Sequence, residues 1–496
     1  MYKKTIIKPN TYYDSVTLMS LGSKIKAVEG VKEAVVVMAT GMNKEILMNV
    51  GLGNEETEGA TQNDLIIAVE ARDEETCVEA HRMILDKLTK GSGQAGQEAE
   101  VEYKTIRHAV KDNRAANVAV ISVPGRYAAR EAKIALNSGL HVMMFSDNVS
   151  IEEERELKEL AVSKGLLMMG PDCGTAVINH TGLCFANEVR RGNIGVVGAS
   201  GTGLQEVIVQ IDRLGGGITQ ALGTGGRDLS REIGGLMMLH GIRALAKEPD
   251  TEIIVLVSKP PEQSVADKIF ELLDTLEKPV VVCFLEGDTA RKCREGVYLC
   301  DNLLDAARTA VKLAGVAQDA GREEARAARL KEEIAGARGL LQPGQKSVRG
   351  LFCGGTLCAE ALFVLRGRLG KIRSNVSHRD GEKIDGKEAC RGSVLLDLGD
   401  DEFTNGRPHP MIEPSLRNDK IAEQGDDPEV GVILLDFELG YGSHGDPAGE
   451  TVPAIREARA RARAQGRELA VVGYICGTAA DKQDFAGQRA ALLAEG

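Results

Sequence analysis

Two periods divide the chain. Short aliphatic and β-branched runs, which suit buried strands, recur between longer segments whose apolar residues fall at the helical spacing of about 3.6. KTIIKPN (4–10), VKEAVVVMA (31–39) and DLIIAVEA (64–71) are strand-like. DSVTLMSLGSKIKAVEG (14–30), NKEILMNVGL (43–52) and DEETCVEAHRMILDKLTK (73–90) are helical, the last with acids first and lysines last, as the helix dipole favours. Their order predicts a small N-terminal α+β sandwich over residues 1–95, and GSGQAGQ (91–97) predicts a flexible linker.

Strict strand–helix alternation then takes over, the signature of parallel sheets in an α/β chain. NVAVISVPG, HVMMFS and LLMMGPDCGT bracket two helices, one opened by a capping box of Ser150 and Glu153, in a Rossmann-like CoA-binding-type domain at 115–190. IGVVGAS, GITQALG, EIIVLVSKPP and PVVVCFLEGD predict a doubly wound, flavodoxin-like domain at 191–316. An Ala-, Arg- and Glu-rich helical linker follows at 317–346. GLFCGG, SVLLDLG, VGVILLDFE and ELAVVGYICG predict a second flavodoxin-like domain at 347–496, whose pattern calls for one more strand after ALLAEG.

The two doubly wound domains open alike. Each strand exits into Gly-Thr with a Glu four residues after the Thr: Gly201, Thr202, Glu206 and Gly355, Thr356, Glu360. A strand, a glycine turn and a helix N-terminus form an anion site, because unpaired N–H groups and the positive dipole end face outward. Ser200, Gly201, Thr202, Gly354, Gly355 and Thr356 are therefore the candidate phosphate ligands, with the two helices aimed at one phosphate. No Gly-Lys-Ser/Thr follows either turn, so neither is a Walker A loop.

Composition narrows the partners. The 496 residues suggest three or four domains, and with no Trp their cores must be aliphatic. A formal net charge of -12 argues against nucleic-acid and anionic-membrane partners but not against small anions. The N-terminus shows no signal peptide, and no apolar run approaches the roughly 20 residues of a membrane span. Ten cysteines without a CxxC pair suggest reduced thiols and a cytoplasmic protein.

VPGRYAAREAKIALNSG, GPDCGT, NIGVVGASGTGLQE and GTGGRDLS resemble the α-subunit of succinyl-CoA synthetase. Together with MMFSDNVS, GGRDLSREIGG, DLGDDEFTNGRPHPMIEPSLRN and LGYGSHGDPA, they resemble the FdrA proteins over nearly the whole chain. The synthetase resemblance implies two helices facing a phosphohistidine. The FdrA resemblance implies a subunit of oxamate carbamoyltransferase, which converts oxalurate and phosphate to oxamate and carbamoyl phosphate. It also implies two further transferase subunits and a carbamate kinase in the same purine-catabolic pathway. The segment matching the phosphohistidine loop, GDTARKCREGVYLCDN (287–302), has no histidine, and Lys259 stands where the synthetase places the Glu that orients it. The glycine fingerprint that begins the synthetase's CoA domain is absent, and no ATP-grasp domain is visible.

The expected activity is thus carbamoyl transfer with no resident cofactor and no metal. Two alternatives stand beside it: an NDP-forming acyl-CoA synthetase, which alone would call for CoA or a nucleotide, and a non-enzymatic scaffold that binds a phosphorylated metabolite. Lys259, Arg407 and His409 are the candidate catalytic residues, and Arg227, Arg231 and Arg417 the candidate anchors for anionic oxamate or oxalurate. Arg407, His409 and Arg417 lie in or beside a stiff polar loop with three prolines, a common setting for function. Cys173 lacks a neighbouring His and is not expected to be a nucleophile; Asp436 and His444 are too far apart in a loop to signal a metal strongly.

Overall fold

The structure is a computed structural model. It describes residues 1–496 except 10, 12, 14, 27, 92–102, 318–319, 385–390 and 405–407. Most of the expected linker at 91–97 and the candidate Arg407 lie outside the described residues. The chain divides into two compact units, Met1–Glu102 with Thr404–Pro408, and Tyr103–Phe403 with His409–Gly496.

The first unit is the expected α+β sandwich. Strands Tyr2–Lys8, Leu65–Ala71 and Val31–Met38 form an antiparallel sheet with Leu65–Ala71 in the centre. All seven residues of that strand are buried. Helices Ser15–Lys26 and Glu74–Gly91 supply Leu18, Leu21, Ile25, Ala80 and Ile84 to its core.

The second unit holds three sheets, two of them all parallel and the largest parallel but for a terminal hairpin. The smallest, Val118–Ile121, His141–Met144 and Met168–Met169, is one βαβαβ half of a Rossmann fold, with helices Gly125–Asn137 and Ile151–Lys164. Ser150 and Glu153 form the expected capping box, and Gly165 closes the second helix in the left-handed region at φ 68°.

The seven-stranded sheet runs Val297–Leu299, Val280–Phe284, Ile253–Ser258, Arg191–Gly198, Ile218–Gly223, Thr175–Ile178, Thr181–Cys184. Its five parallel strands have the flavodoxin order 2-1-3-4-5. The last two form an antiparallel hairpin that the sequence pattern placed with the Rossmann-like domain; it pairs Val177 with Ala221 and so extends this sheet instead. The five-stranded sheet is all parallel, in the order Ile372–Ser374, Ser393–Asp397, Ser347–Phe352, Val430–Glu438, Ala470–Cys476. The intervening helix Ala320–Leu340 is exposed along most of its length, as a solvated connector should be.

One apolar cluster welds the two doubly wound domains. It takes Leu204, Val207, Ile208 and Ile211 from helix Gly201–Arg213, and Val255 and Cys283 from the first sheet. From the second domain come Phe352, Leu357, Cys358 and Leu362. Each fully buried aliphatic side chain contributes about 1.5–3 kcal/mol, so the helix behaves as core rather than as a surface helix. Ten of its thirteen residues are buried.

A buried ion network fixes the Rossmann-like half to the first doubly wound domain. Lys158 Nζ donates to Glu154 Oε1, Asp228 Oδ1 and the Thr224 carbonyl, each at 2.8 Å. All three charged side chains are fully buried. Asp228 also accepts the N–H groups of Met237 and Met238. Removing the cation leaves two buried carboxylates short of a partner, which is the costly way to break such a network. Lys158→Met should therefore destabilise the second unit by about 3–5 kcal/mol in urea unfolding; a loss below about 1 kcal/mol would contradict this account.

Candidate functional site

The two repeated turns meet. Strand Arg191–Gly198 ends at Ala199, and Ser200, in extended conformation, caps helix Gly201–Arg213 by accepting the Gly203 N–H at 3.1 Å. Strand Ser347–Phe352 exits through Cys353 and Gly354 into helix Gly355–Leu369. The Ser200 and Thr356 hydroxyls are hydrogen-bonded to each other, and Thr202 Oγ1 accepts the Thr356 N–H at 3.3 Å. Gly203 permits this approach, since a Cβ there would stand 2.9 Å from the Thr356 methyl. So Ser200, Gly201, Thr202, Gly355 and Thr356 come together at one junction.

The repeated glutamates complete the exchange between domains. Glu206, on the first helix, accepts the Tyr474 hydroxyl from the second domain at 2.6 and 2.7 Å. Glu360, on the second helix, accepts the Leu303 N–H at the N-terminus of helix Leu303–Leu313 in the first domain, at 2.7 Å. The first turn meets the second through Ser200 and Thr202, the second answers through Thr356, and each carries one glutamate that grips the opposite domain.

The two N-termini differ electrostatically. Gly354 has no side-chain cap of its own. Asp436, at the end of strand Val430–Glu438, accepts the Cys353 and Gly354 N–H groups at 2.7 and 2.8 Å. Gly354 is thus corrected as a phosphate ligand: a carboxylate from a neighbouring strand exit already takes its donor. The N–H groups of Gly201, Thr202 and Gly355 have no hydrogen-bond partner among the described residues.

Lys259 follows strand Ile253–Ser258 and reaches the same place: a Cβ on Gly355 would lie 3.6 Å from its Nζ and would collide with Asp397 Oδ2. Asp397 ends strand Ser393–Asp397 and is 7% exposed. Burial pushes its carboxyl up to about 7, against the pull of Lys259 and of the Gly399 N–H. Asp172 is open to solvent but walled in by protein. Desolvation, then Asp401 and Asp147, raises it to about 6, opposed by Arg227 and Lys259. Lys259 is thus a cation that pulls on two carboxyl groups raised by burial.

Behind the junction, Glu438 Oε1 is buried without a partner, and burial with the neighbouring Asp436 holds this carboxyl well above its usual range. Donor atoms of Cys353, Asp436 and Glu438 lie within 4.8 Å of one another. Asp436 is already filled by two backbone N–H groups and by Arg417, which leaves it little capacity to take a cation.

The other expected anchors sit elsewhere. Arg417 is corrected from substrate ligand to structural residue: it is 1% exposed, donates to the Asp436 carbonyl at 2.5 Å and to Thr451 at 3.2 Å, and stacks on Phe437. Arg227 is tied to Glu154 and to the Val149 carbonyl, each at 2.8 Å, as part of the buried ion network. Arg231 is 78% exposed beside Glu262. His409 accepts the Met411 N–H on Nδ1, turns Nε2 to Gly399, and is kept neutral by burial, which lowers it to about 4. It is therefore no cationic anchor. Cys173 is buried and pushed up to about 12, consistent with an inert thiol. His444 Nδ1 accepts the Asp446 N–H. Within 287–302, Asn302 caps a helix by accepting the Asp305 N–H at 2.8 Å. At the first turn of the Rossmann-like half, Gly125 packs against the Asp147 and Asn148 carbonyls, where a Cβ would collide.

These doubly wound domains resemble those of CoA ligases. Residues 189–287 match a CoA binding domain, 351–496 a CoA-ligase domain, and 1–104 the heavy metal-associated domain of AllF. The chain is 48% identical over 501 residues to the uncharacterized protein YahF of Escherichia coli strain K12, spanning 100% of this chain and 95% of that one, and it belongs to the YahF family. It is 27% identical over 223 residues to the α-subunit of ADP-forming succinate–CoA ligase of Aquifex aeolicus strain VF5, covering 43% of this chain and 70% of the relative. Among solved structures, ATP citrate lyase from Methanothrix soehngenii aligns over 44% of this chain and 42% of its own, with 19% identity and a TM-score of 0.35, too low to bear on function. The kinship with the succinate–CoA ligase α-subunit expected from the motifs is met. No described helix is long and apolar enough to cross a membrane.

The N-terminal domain's metal-linked description finds no matching ligands here. Residues 1–104 contain one cysteine, Cys77, and one histidine, His81. Both are buried, with His81 Nδ1 bonded to the Cys77 carbonyl at 2.8 Å, and burial raises the thiol. One protonated thiol and one imidazole fall short of a soft-metal site.

Glu360 gives a pH test of the junction. Burial raises its carboxyl from 4.5 to about 7, opposed by the Leu303 N–H and aided by Glu206 and Asp305. The folded chain thus keeps a proton that the unfolded chain releases near 4.5. The associated stability is full below that value and is lost as pH rises through about 7. Glu360→Gln should remove this loss, so its stability relative to wild type should rise between pH 5 and 8 by up to roughly 1.4 kcal/mol per unit. A pH-independent difference in urea unfolding would contradict the assignment.

Proposed function

We propose that this chain catalyses phosphate-dependent acyl transfer, acyl–X plus phosphate giving acyl phosphate plus HX, with the phosphate seated between the two helix N-termini. The observation that carries the reading is the junction itself: Ser200 against Thr356, three unpartnered N–H groups, and Lys259 alongside. Phosphate would exchange the Ser200–Thr356 contact for charge-assisted bonds to its own oxygens, which are the stronger kind. Helix dipoles and oriented donors stabilise the charge that develops on the transferring group, and no covalent enzyme intermediate is required.

The likeness to CoA-ligase domains favours a thioester as donor, with a thiol as HX. A second reading takes oxalurate as donor, giving carbamoyl phosphate and oxamate. It is favoured by Lys259, whose Nζ reaches the Gly355 turn where the phosphate is proposed. Both readings end at an acyl phosphate, because residues 287–302 supply no histidine to carry the phosphate onward.

The test is phosphorus NMR of the chain with inorganic phosphate and either succinyl-CoA or oxalurate, alone and with the two further subunits that the carbamoyl reading implies. An acyl phosphate resonance that depends on both donor and protein is expected. Saturable phosphate binding with no product from either donor would leave a binding scaffold and overturn the enzymatic reading. Lys259→Ala should weaken phosphate binding by about ten-fold, about 1.4 kcal/mol, in calorimetry on the folded variant; unchanged affinity would place the phosphate elsewhere.

A further inference from the structure

We propose that Asp397 is the proton donor to the leaving group at the helix junction, an inference that rests on the acyl-phosphate reading above. Strand Ser393–Asp397 lies parallel to strand Ser347–Phe352 with Asp397 opposite Phe352, so this side chain stands where helix Gly355–Leu369 begins. Its backbone is clamped on both sides by Asn375, which accepts the Asp397 N–H and donates to the Asp397 carbonyl, each at 2.9 Å. Oδ1 accepts the Gly399 N–H at 2.9 Å. Oδ2 has no hydrogen-bond partner among the described residues and is turned to Gly355, where Lys259 Nζ also reaches. One oxygen is held and the other is presented to the junction.

The groups that face this carboxyl are Lys259 from the exit of strand Ile253–Ser258, Asp436 on strand Val430–Glu438, Asp400 on its own loop, and Cys358 on helix Gly355–Leu369. Burial raises Asp397 to about 7, towards the range in which a general acid works at neutral pH. Two other acids nearby are raised: Glu438, which is turned to Asp436, and Asp172, whose charged neighbours are Asp401, Asp147, Arg227 and Lys259.

The step balances as follows. Phosphate enters as HPO4²⁻ and one oxygen attacks the acyl carbon. The new C–O bond forms as the C–X bond breaks, and X leaves with the bonding pair. Asp397 passes its proton to X, then recovers one from the monoprotonated acyl phosphate. The net change is acyl–X plus HPO4²⁻ to acyl–OPO3²⁻ plus HX.

Asp397→Asn keeps the acceptor for Gly399 and removes the acid. Two measurements test it: calorimetry with inorganic phosphate at pH 7 in buffers of different ionisation enthalpy, and the pH profile of acyl phosphate formation. Binding the dianion releases protons from free phosphate, part of which is H2PO4⁻ at this pH; an anion beside Asp397 strengthens its hold on a proton, so wild type should release fewer protons than the variant on binding phosphate. The variant should bind phosphate at least as tightly, which also shows that it is folded. It should turn over about 10²-fold or more slowly and lose the decline in rate as pH rises through about 7. A variant that keeps the rate and the decline overturns the assignment of Asp397 while leaving the transfer reading intact. If wild type binds phosphate but forms no acyl phosphate, the transfer reading fails, and this inference with it.

Discussion

Two positive helix ends cannot share one point without an answering charge. Helices Gly201–Arg213 and Gly355–Leu369 meet end to end, and each N-terminus carries roughly half a positive charge. Much of the surrounding arrangement answers this conflict. Asp436 supplies a carboxylate to the second helix, and buried Arg417 orients it. The Ser200 and Thr356 hydroxyls bridge the gap. The first helix has no carboxylate cap, and there the proposed phosphate would stand. Lys259 would then neutralise what the helices do not.

The same constraint explains why one chain builds the turn twice. Two doubly wound domains placed face to face bring the carboxyl ends of both parallel sheets to one region, where such folds bind ligands. The domains must be held firmly for the two ends to register. The shared apolar cluster does most of this, with Glu206 to Tyr474 and Glu360 to Leu303 as reciprocal ties. Rigid support of this kind lets backbone donors act without reorganising when charge develops.

Much of this was legible in the sequence, because it is local. The repeated Gly-Thr-x-x-x-Glu, the capping box at Ser150 and the strand–helix alternation are short-range signals, and each appears in the structure. What stayed hidden is tertiary. Asp436 caps a helix that begins some eighty residues earlier, and only sheet order brings it there. Arg417 follows a proline-rich polar loop and so suggested a ligand, yet its guanidinium is consumed by Asp436 and Thr451. Arg227 follows a glycine turn but serves the Lys158 network. The hairpin Thr175–Cys184 carries no mark of which sheet it joins. Asp397 lies in DLGDDEF, one of several acids, and only the register of its strand singles it out.

The most direct test is a crystal structure with tungstate, an anomalous scatterer that stands in for phosphate. The account predicts one anomalous peak at the junction, with the tungstate oxygens within about 3 Å of the Gly201, Thr202 and Gly355 nitrogens and of Lys259 Nζ, and the Ser200 and Thr356 hydroxyls turned apart to meet it. An intact Ser200–Thr356 contact at saturating tungstate, with the anion bound elsewhere, would contradict it.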